Sequence, residues 1–179
     1  MGKLKLILLL LLVIQLYSQT LEFQLINKFE YELSEINDFS IDSDGNFYLL
    51  DSQDNCIYKY SETGKYVQTL ARKGKGPGEL LMPLLLEIDK SNNIVIANVG
   101  NSRFEVLSKS GDYISSFKFP SSSFATTAFK INSKNELIVA FNDNYQGAYH
   151  IQKWSLDGVL IKELCKFQKT SYSNLVKHP

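Results

Sequence analysis

Residues 39–70 read FSIDSDGNFYLLDSQDNCIYKYSETGKYVQTL, and a shift of 47 lays residues 86–117, LEIDKSNNIVIANVGNSRFEVLSKSGDYISSF, over them without a gap. Ile41 meets Ile88, Asp42 meets Asp89, Asp51 meets Asn98, and Tyr60 meets Leu107. A third copy runs from 129 to 164, FKINSKNELIVAFNDNYQGAYHIQKWSLDGVLIKEL, with four extra residues near Asn144 to Ala148. The connection before it is four residues shorter, so Gly64, Gly111 and Gly158 still recur every 47 residues. Self-similarity at a fixed period of this size marks a repeat architecture.

Each copy divides into the same pieces. A short apolar strand (FSID, LEID, FKIN) is followed by a polar turn rich in Asp, Asn, Ser and Gly. A second strand follows (FYLLD, IVIAN, LIVAF), then a third (CIYKYS, RFEVLS, HIQKWS) and a fourth (KYVQTL, DYISSF, VLIKEL). Runs of β-branched and aromatic residues between such turns predict strands, and Asp, Asn and Gly supply the positive φ that tight hairpins need. The second strand is almost wholly apolar, as expected of one covered on both faces. A lone four-stranded sheet cannot bury both faces, so the copies must stack. No stretch beyond residue 20 carries a sustained helical spacing. The expectation is all-β, with four-stranded antiparallel sheets as β-propeller blades at about 36–83, 84–124 and 125–168.

The first 18 residues read differently. Lys3 and Lys5 precede an apolar run from Leu6 to Leu16, broken only by Gln15, and Ser18 offers a cleavage point. That layout predicts a signal peptide over 1–18, with an uncleaved anchor as the rival. The run is short for a membrane span, so no membrane association is expected after cleavage. The expected location is outside the cytoplasm: periplasmic, cell-surface or secreted. Residues 19–35 contain LEFQLINKFEYEL, one or two strands outside any full copy. Basic and acidic side chains number 19 each, and loss of Lys3 and Lys5 leaves a charge near −2, which excludes a nucleic-acid partner. Cys56 and Cys165 each sit in an apolar strand pattern and are expected as buried free thiols.

The pattern Ile-Asp-x-x-Gly-Asn-x-Tyr-x-x-Asp, then Ile-x-x-Tyr-x-x-x-Gly-Lys, resembles the NHL-like six-bladed β-propeller repeat. The linker Lys73-Gly74-Lys75-Gly76-Pro77-Gly78-Glu79-Leu80 with Met82-Pro83 is similar to a segment common in exported six-bladed propellers of Bacteroides-type bacteria. The resemblance covers roughly 36–164. It departs at Asn98 and Phe141, which replace an Asp, and at the third copy, which lacks the turn glycine. It also implies six blades where three copies are present, hence about three of six in an open, incomplete ring. On that reading the chain is a truncated propeller, associating with another propeller half or with itself through open blade faces.

Propellers host many unrelated activities, so the resemblance is specific for fold and poor for function. The expected role is a non-catalytic binding or interaction module. The alternative is a truncated remnant of a metal-dependent six-bladed hydrolase or lyase, which the resemblance implies. That would need Asp, Glu, Asn or His from several blades on one ion, with Asp38 and Glu87 as contributors.

Two loops could face a ligand. Arg72, Lys73 and Lys75 lie among glycines, where an anion would fit. The P-loop signature is absent, since Pro77 follows Gly76 and no helix begins, so a blade-to-blade crossover is the plainer reading. Asn142, Asp143, Asn144 and Tyr145 fall in the lengthened part of the third copy and suit a cation or sugar, or a solvated insertion. Asp42-Ser43-Asp44-Gly45-Asn46 lacks the ligands of a calcium loop and reads as a hydrogen-bonded turn. His150, expected to open a strand, and His178 form no catalytic arrangement. Trp154 takes a core position. No catalytic, metal or cofactor residue is assigned, and no cofactor is called for.

Overall fold

The computed structural model describes residues 34–119, 124–143 and 147–168. Among them are three four-stranded antiparallel sheets, each in sequential order. The first contains β1 (Ile36–Ile41), β2 (Phe47–Asp51), β3 (Cys56–Tyr60) and β4 (Tyr66–Leu70). The second contains β5 (Pro83–Ile88), β6 (Ile94–Asn98), β7 (Arg103–Leu107) and β8 (Tyr113–Lys118). The third contains β9 (Phe124–Ile131), β10 (Leu137–Asp143), β11 (Ala148–Trp154) and β12 (Leu160–Gln168). A single 3-10 turn, Val99–Asn101, follows β6, and no α-helix occurs among the described residues. The leader and the segment before Ser34 lie outside the described residues.

The sheets stack as the apolar second strands require. Tyr48, Leu50 and Ile57 of the first sheet pack with Leu86, Ile94, Ile96 and Leu107 of the second. The opposite face of the second sheet, with Val95, Ala97, Phe104 and Val106, packs on Phe129, Leu137, Val139 and Phe141 of the third. All five residues of β6 are buried, because it lies between two sheets. Each large apolar side chain so buried contributes about 1.5–3 kcal/mol. The first strands lie side by side, β1 against β5 and β5 against β9, as around a propeller axis.

The repeated turns are built alike. Asp42 accepts the N–H groups of Asp44 and Asn46, the Asn46 amide and the Tyr48 hydroxyl. Asp89 does the same with Ser91 and Asn93. In the third copy the polarity inverts: Asn132 accepts from Lys134 and Glu136, and its amide donates to the Glu136 carboxylate. The turn also explains the missing glycine. Gly45, Asn92 and Asn135 occupy the same left-handed position, at φ 82, 60 and 62°. Asn92 uses its side chain to accept Ser43 N–H of the previous sheet, and Asn135 accepts Lys90 N–H in the same way. The recurring Gly111 and Gly158 serve contact between sheets. A Cβ on Gly158 would lie 2.5 Å from Phe117 Cβ, and one on Gly111 3.0 Å from Leu70 Cδ2.

Three expectations need correction. Cys56 is buried, but Cys165 is exposed: it sits on β12, the last strand of its sheet, which is exposed along its whole length. An apolar pattern marks a strand, but a rim strand with one neighbour buries little. Asn142 and Asp143 are not loop residues. The longer third copy extends the β10–β11 ladder, pairing Asn142 with Tyr149 and Asp143 with Ala148. For the same reason His150 lies within β11 rather than at its start.

Candidate ligand-binding cleft

The ends of β2 and β6 organise one end of the stack. Asp51, fully buried, accepts four backbone N–H groups, from Ser34, Glu35, Gln53 and Asp54, at 2.9–3.2 Å. It therefore ties the approach to β1 onto the β2–β3 turn. Asn98 repeats this in the second sheet, accepting Leu81 N–H at 2.8 Å while its amide donates to the Glu79 carbonyl. An Asp could accept but not donate there, so the departure from Asp has a local reason. Asn37 Oδ1 accepts Ser52 N–H at 3.0 Å. Asn55, in the left-handed region at φ 56°, donates to the Gln53 carbonyl and accepts Met82 N–H at 2.7 Å. Met82 itself is held at φ 47°.

Between these pinned segments lies a cleft of about 490 Å3. One wall is polar, with Glu35, Asn37, Ser52 and Gln53. The other is apolar, with Met82, Pro83, Leu84 and Val99. Met82 is 65% exposed and Leu84 39%. The volume falls within the range of small-molecule sites.

The basic crossover has another use for its glycines. Lys73 and Leu80 pair in a short bridge, and the loop between them closes around Glu79. Glu79 accepts Gly76 N–H at 2.8 Å and pairs with Arg72 at 2.9 Å. These contacts hold its carboxyl below the usual range, the Gly76 bond first. A Cβ at Gly74 would stand 2.0 Å from Glu79 Oε2. The anion cradle read from Arg72, Lys73 and Lys75 is thus filled by the chain's own carboxylate. Beneath it, buried Glu105 accepts Gly78 N–H at 2.6 Å and pairs with Arg103, whose guanidinium donates to the Gly76 carbonyl.

The sequence-based candidates are not brought together. Arg72, Lys73 and Lys75 are exposed on the crossover, Asn142 and Asp143 lie in the third sheet, and Asn144 and Tyr145 fall outside the described residues. None of the first five is among the residues that line the cleft. Asp38 and Glu87 join neighbouring first strands: Asp38 accepts Leu86 N–H, and Glu87 pairs with Lys130. No three His, Cys, Asp or Glu side chains converge among the described residues. His150, buried and stacked on Phe141, meets Glu163 through Nδ1 at 2.7 Å, and its Nε2 has no hydrogen-bond partner among the described residues. The cleft residues carry no motif; only the Met82-Pro83 pair stood out in the sequence, and that as part of a linker.

Stacked four-stranded sheets with adjacent first strands define a β-propeller. Residues 23–174 match the model of the 6-bladed beta-propeller family, and the chain belongs to that family. Among solved structures it is similar to a protein of Bacteroides fragilis described as exported, at 15% identity and a TM-score of 0.64, covering 81% of this chain and 42% of that one. It is similar also to a streptogramin B lyase, at 14% and 0.56, covering 80% and 43%. A catalytically inactive virginiamycin B lyase from Staphylococcus aureus, solved with quinupristin, matches at 16% and 0.56, covering 79% and 45%. The chain spans less than half the length of these structures, and likeness at such identity concerns fold alone. No curated protein matches it. No helix among the described residues is long and apolar enough to cross a membrane.

Proposed function

We propose that this chain is part of an exported propeller that binds a ligand in the cleft between its first two sheets. The observation that carries this reading is the cleft itself. Its walls are backbone segments pinned by Asp51, Asn55 and Asn98, while the Glu35 and Gln53 side chains facing it have no hydrogen-bond or ion-pair partner among the described residues. Rigid walls with free polar groups are what recognition requires. The basic, then apolar, N-terminal stretch supports export. Exposed apolar side chains on the outward faces, Phe39 and Ile41 on the first sheet and Tyr149 and Phe167 on the third, support cover by further blades or by a second copy. A screen of small molecules and peptides by chemical-shift perturbation tests the reading. Leu84→Arg, which fills the cleft, is expected to abolish the shifts without lowering the unfolding midpoint. Ligands that perturb only other surfaces, or bind Leu84→Arg unchanged, would refute it.

A further inference from the structure

We infer that the cleft recognises the free N-terminus of a peptide that begins with an apolar residue. This rests on reading the cleft as a ligand site. Among the described lining residues Glu35 is the one charged side chain, and it has no ion pair among the described residues. None of the described lining residues is cationic, so none would neutralise an incoming carboxylate. A wholly apolar ligand would strip water from Glu35 and give nothing back. An ammonium group supplies both the charge and three donors. Acceptors for the remaining donors are the Ser52 hydroxyl and the Gln53 amide oxygen, while Asn37 Oδ1 is already engaged by Ser52 N–H. Capture of a peptide's terminal amine is an established recognition mode.

The facing wall determines what stands beside the ammonium. Met82, Pro83, Leu84 and Val99 are contiguous apolar surface at the ends of β5 and β6. Met82 is placed there against backbone preference. A non-glycine residue at φ 47° is strained, and the Asn55 side-chain Oδ1 accepts its N–H at 2.7 Å. The result is a mostly exposed thioether at the cleft rather than a side chain in the core. Methionine's flexible, polarizable side chain suits apolar groups of varied shape. A carboxylate opposite such a wall matches an ammonium whose neighbouring side chain is apolar.

The test uses three probes that share their side chains: leucyl-leucinamide, its N-acetyl form, and N-acetyl-leucyl-leucine. At pH 7 the first is expected to bind the intact protein at least fivefold tighter than either of the others, with shifts at Glu35, Gln53 and Leu84. Glu35→Gln is expected to erase that preference with no change in unfolding midpoint. Met82→Ser is expected to weaken all three probes. Equal binding, preference for the anion, or a preference that survives Glu35→Gln overturns the inference. Failure of the ammonium probe to bind also overturns it, whereas the cleft's standing as a ligand site is read separately from the broad screen with Leu84→Arg.

Discussion

Glu79 accepts the backbone N–H of Gly76 at 2.8 Å, three residues behind it in the chain. This bond turns a glycine-rich basic loop from an open anion site into a closed one. It also explains the glycines: a side chain at position 74 would collide with the same carboxylate. Gly74→Ala and Glu79→Gln should therefore act through one event, loss of the seated carboxylate. Each is expected to lower the urea midpoint, and the double variant should fall no further than the worse single one. Additive losses would show that the two positions are independent.

Acid should loosen the turns first. Burial pushes the Asp42 carboxyl up, but the bonds from Asn46, Tyr48 and Asp44 outweigh it, so it titrates below its ordinary value. Glu79 is lowered chiefly by Gly76 N–H and Arg72, and Glu136 chiefly by the Asn132 amide and Lys153. A carboxyl depressed on folding adds stability above its unfolded pKa, about 4 for these groups. That stability is lost as pH falls through the lower folded values. Urea midpoints should be flat from pH 7 to about 5 and decline below about 4. Asp42→Asn should make the decline shallower.

The link between neighbouring turns can be measured at Asn92. Asn92→Gly keeps the left-handed backbone and removes both hydrogen bonds to Ser43, Ser43 N–H to Asn92 Oδ1 and the Asn92 amide to Ser43 Oγ, each worth about 0.5–1.5 kcal/mol. Asn92→Ala removes the same bonds and adds strain at φ 60°, so it should cost more. A loss on denaturant unfolding of Asn92→Gly supports a bond between sheets; a loss in Asn92→Ala with none in Asn92→Gly would assign the effect to backbone strain alone.

Glu105 is fully buried, with Arg103 and Gly78 N–H as partners. Glu105→Ala leaves a guanidinium without its counter-ion and is expected to cost about 3–5 kcal/mol. Glu105→Gln, which keeps an acceptor, should cost less.

The two thiols should differ in reactivity. Burial raises the Cys56 thiol, whereas Cys165 lies exposed on β12. A thiol reagent at pH 8 is expected to modify Cys165 within the mixing time and Cys56 only as the protein opens. Equal rates in the native state would contradict the burial of Cys56.

The repeat, the order of strands in each copy and the stacking of sheets could be read from residues 39–164 because they depend on local matters: alternation, turn chemistry, and an almost wholly apolar second strand that needs cover on both sides. Even the turn hydrogen bonds at Asp42 and Asp89 follow from residues two to four apart. What lay beyond reach depends on residues that meet only after sheets pack. Asn55 holds Met82 across 27 positions, Glu105 reaches Gly78 across 27, and the cleft's two walls come from different sheets. No spacing in the chain encodes such meetings, so the tertiary structure alone closed the basic loop with Glu79, opened the cleft beside it and left Cys165 on the rim.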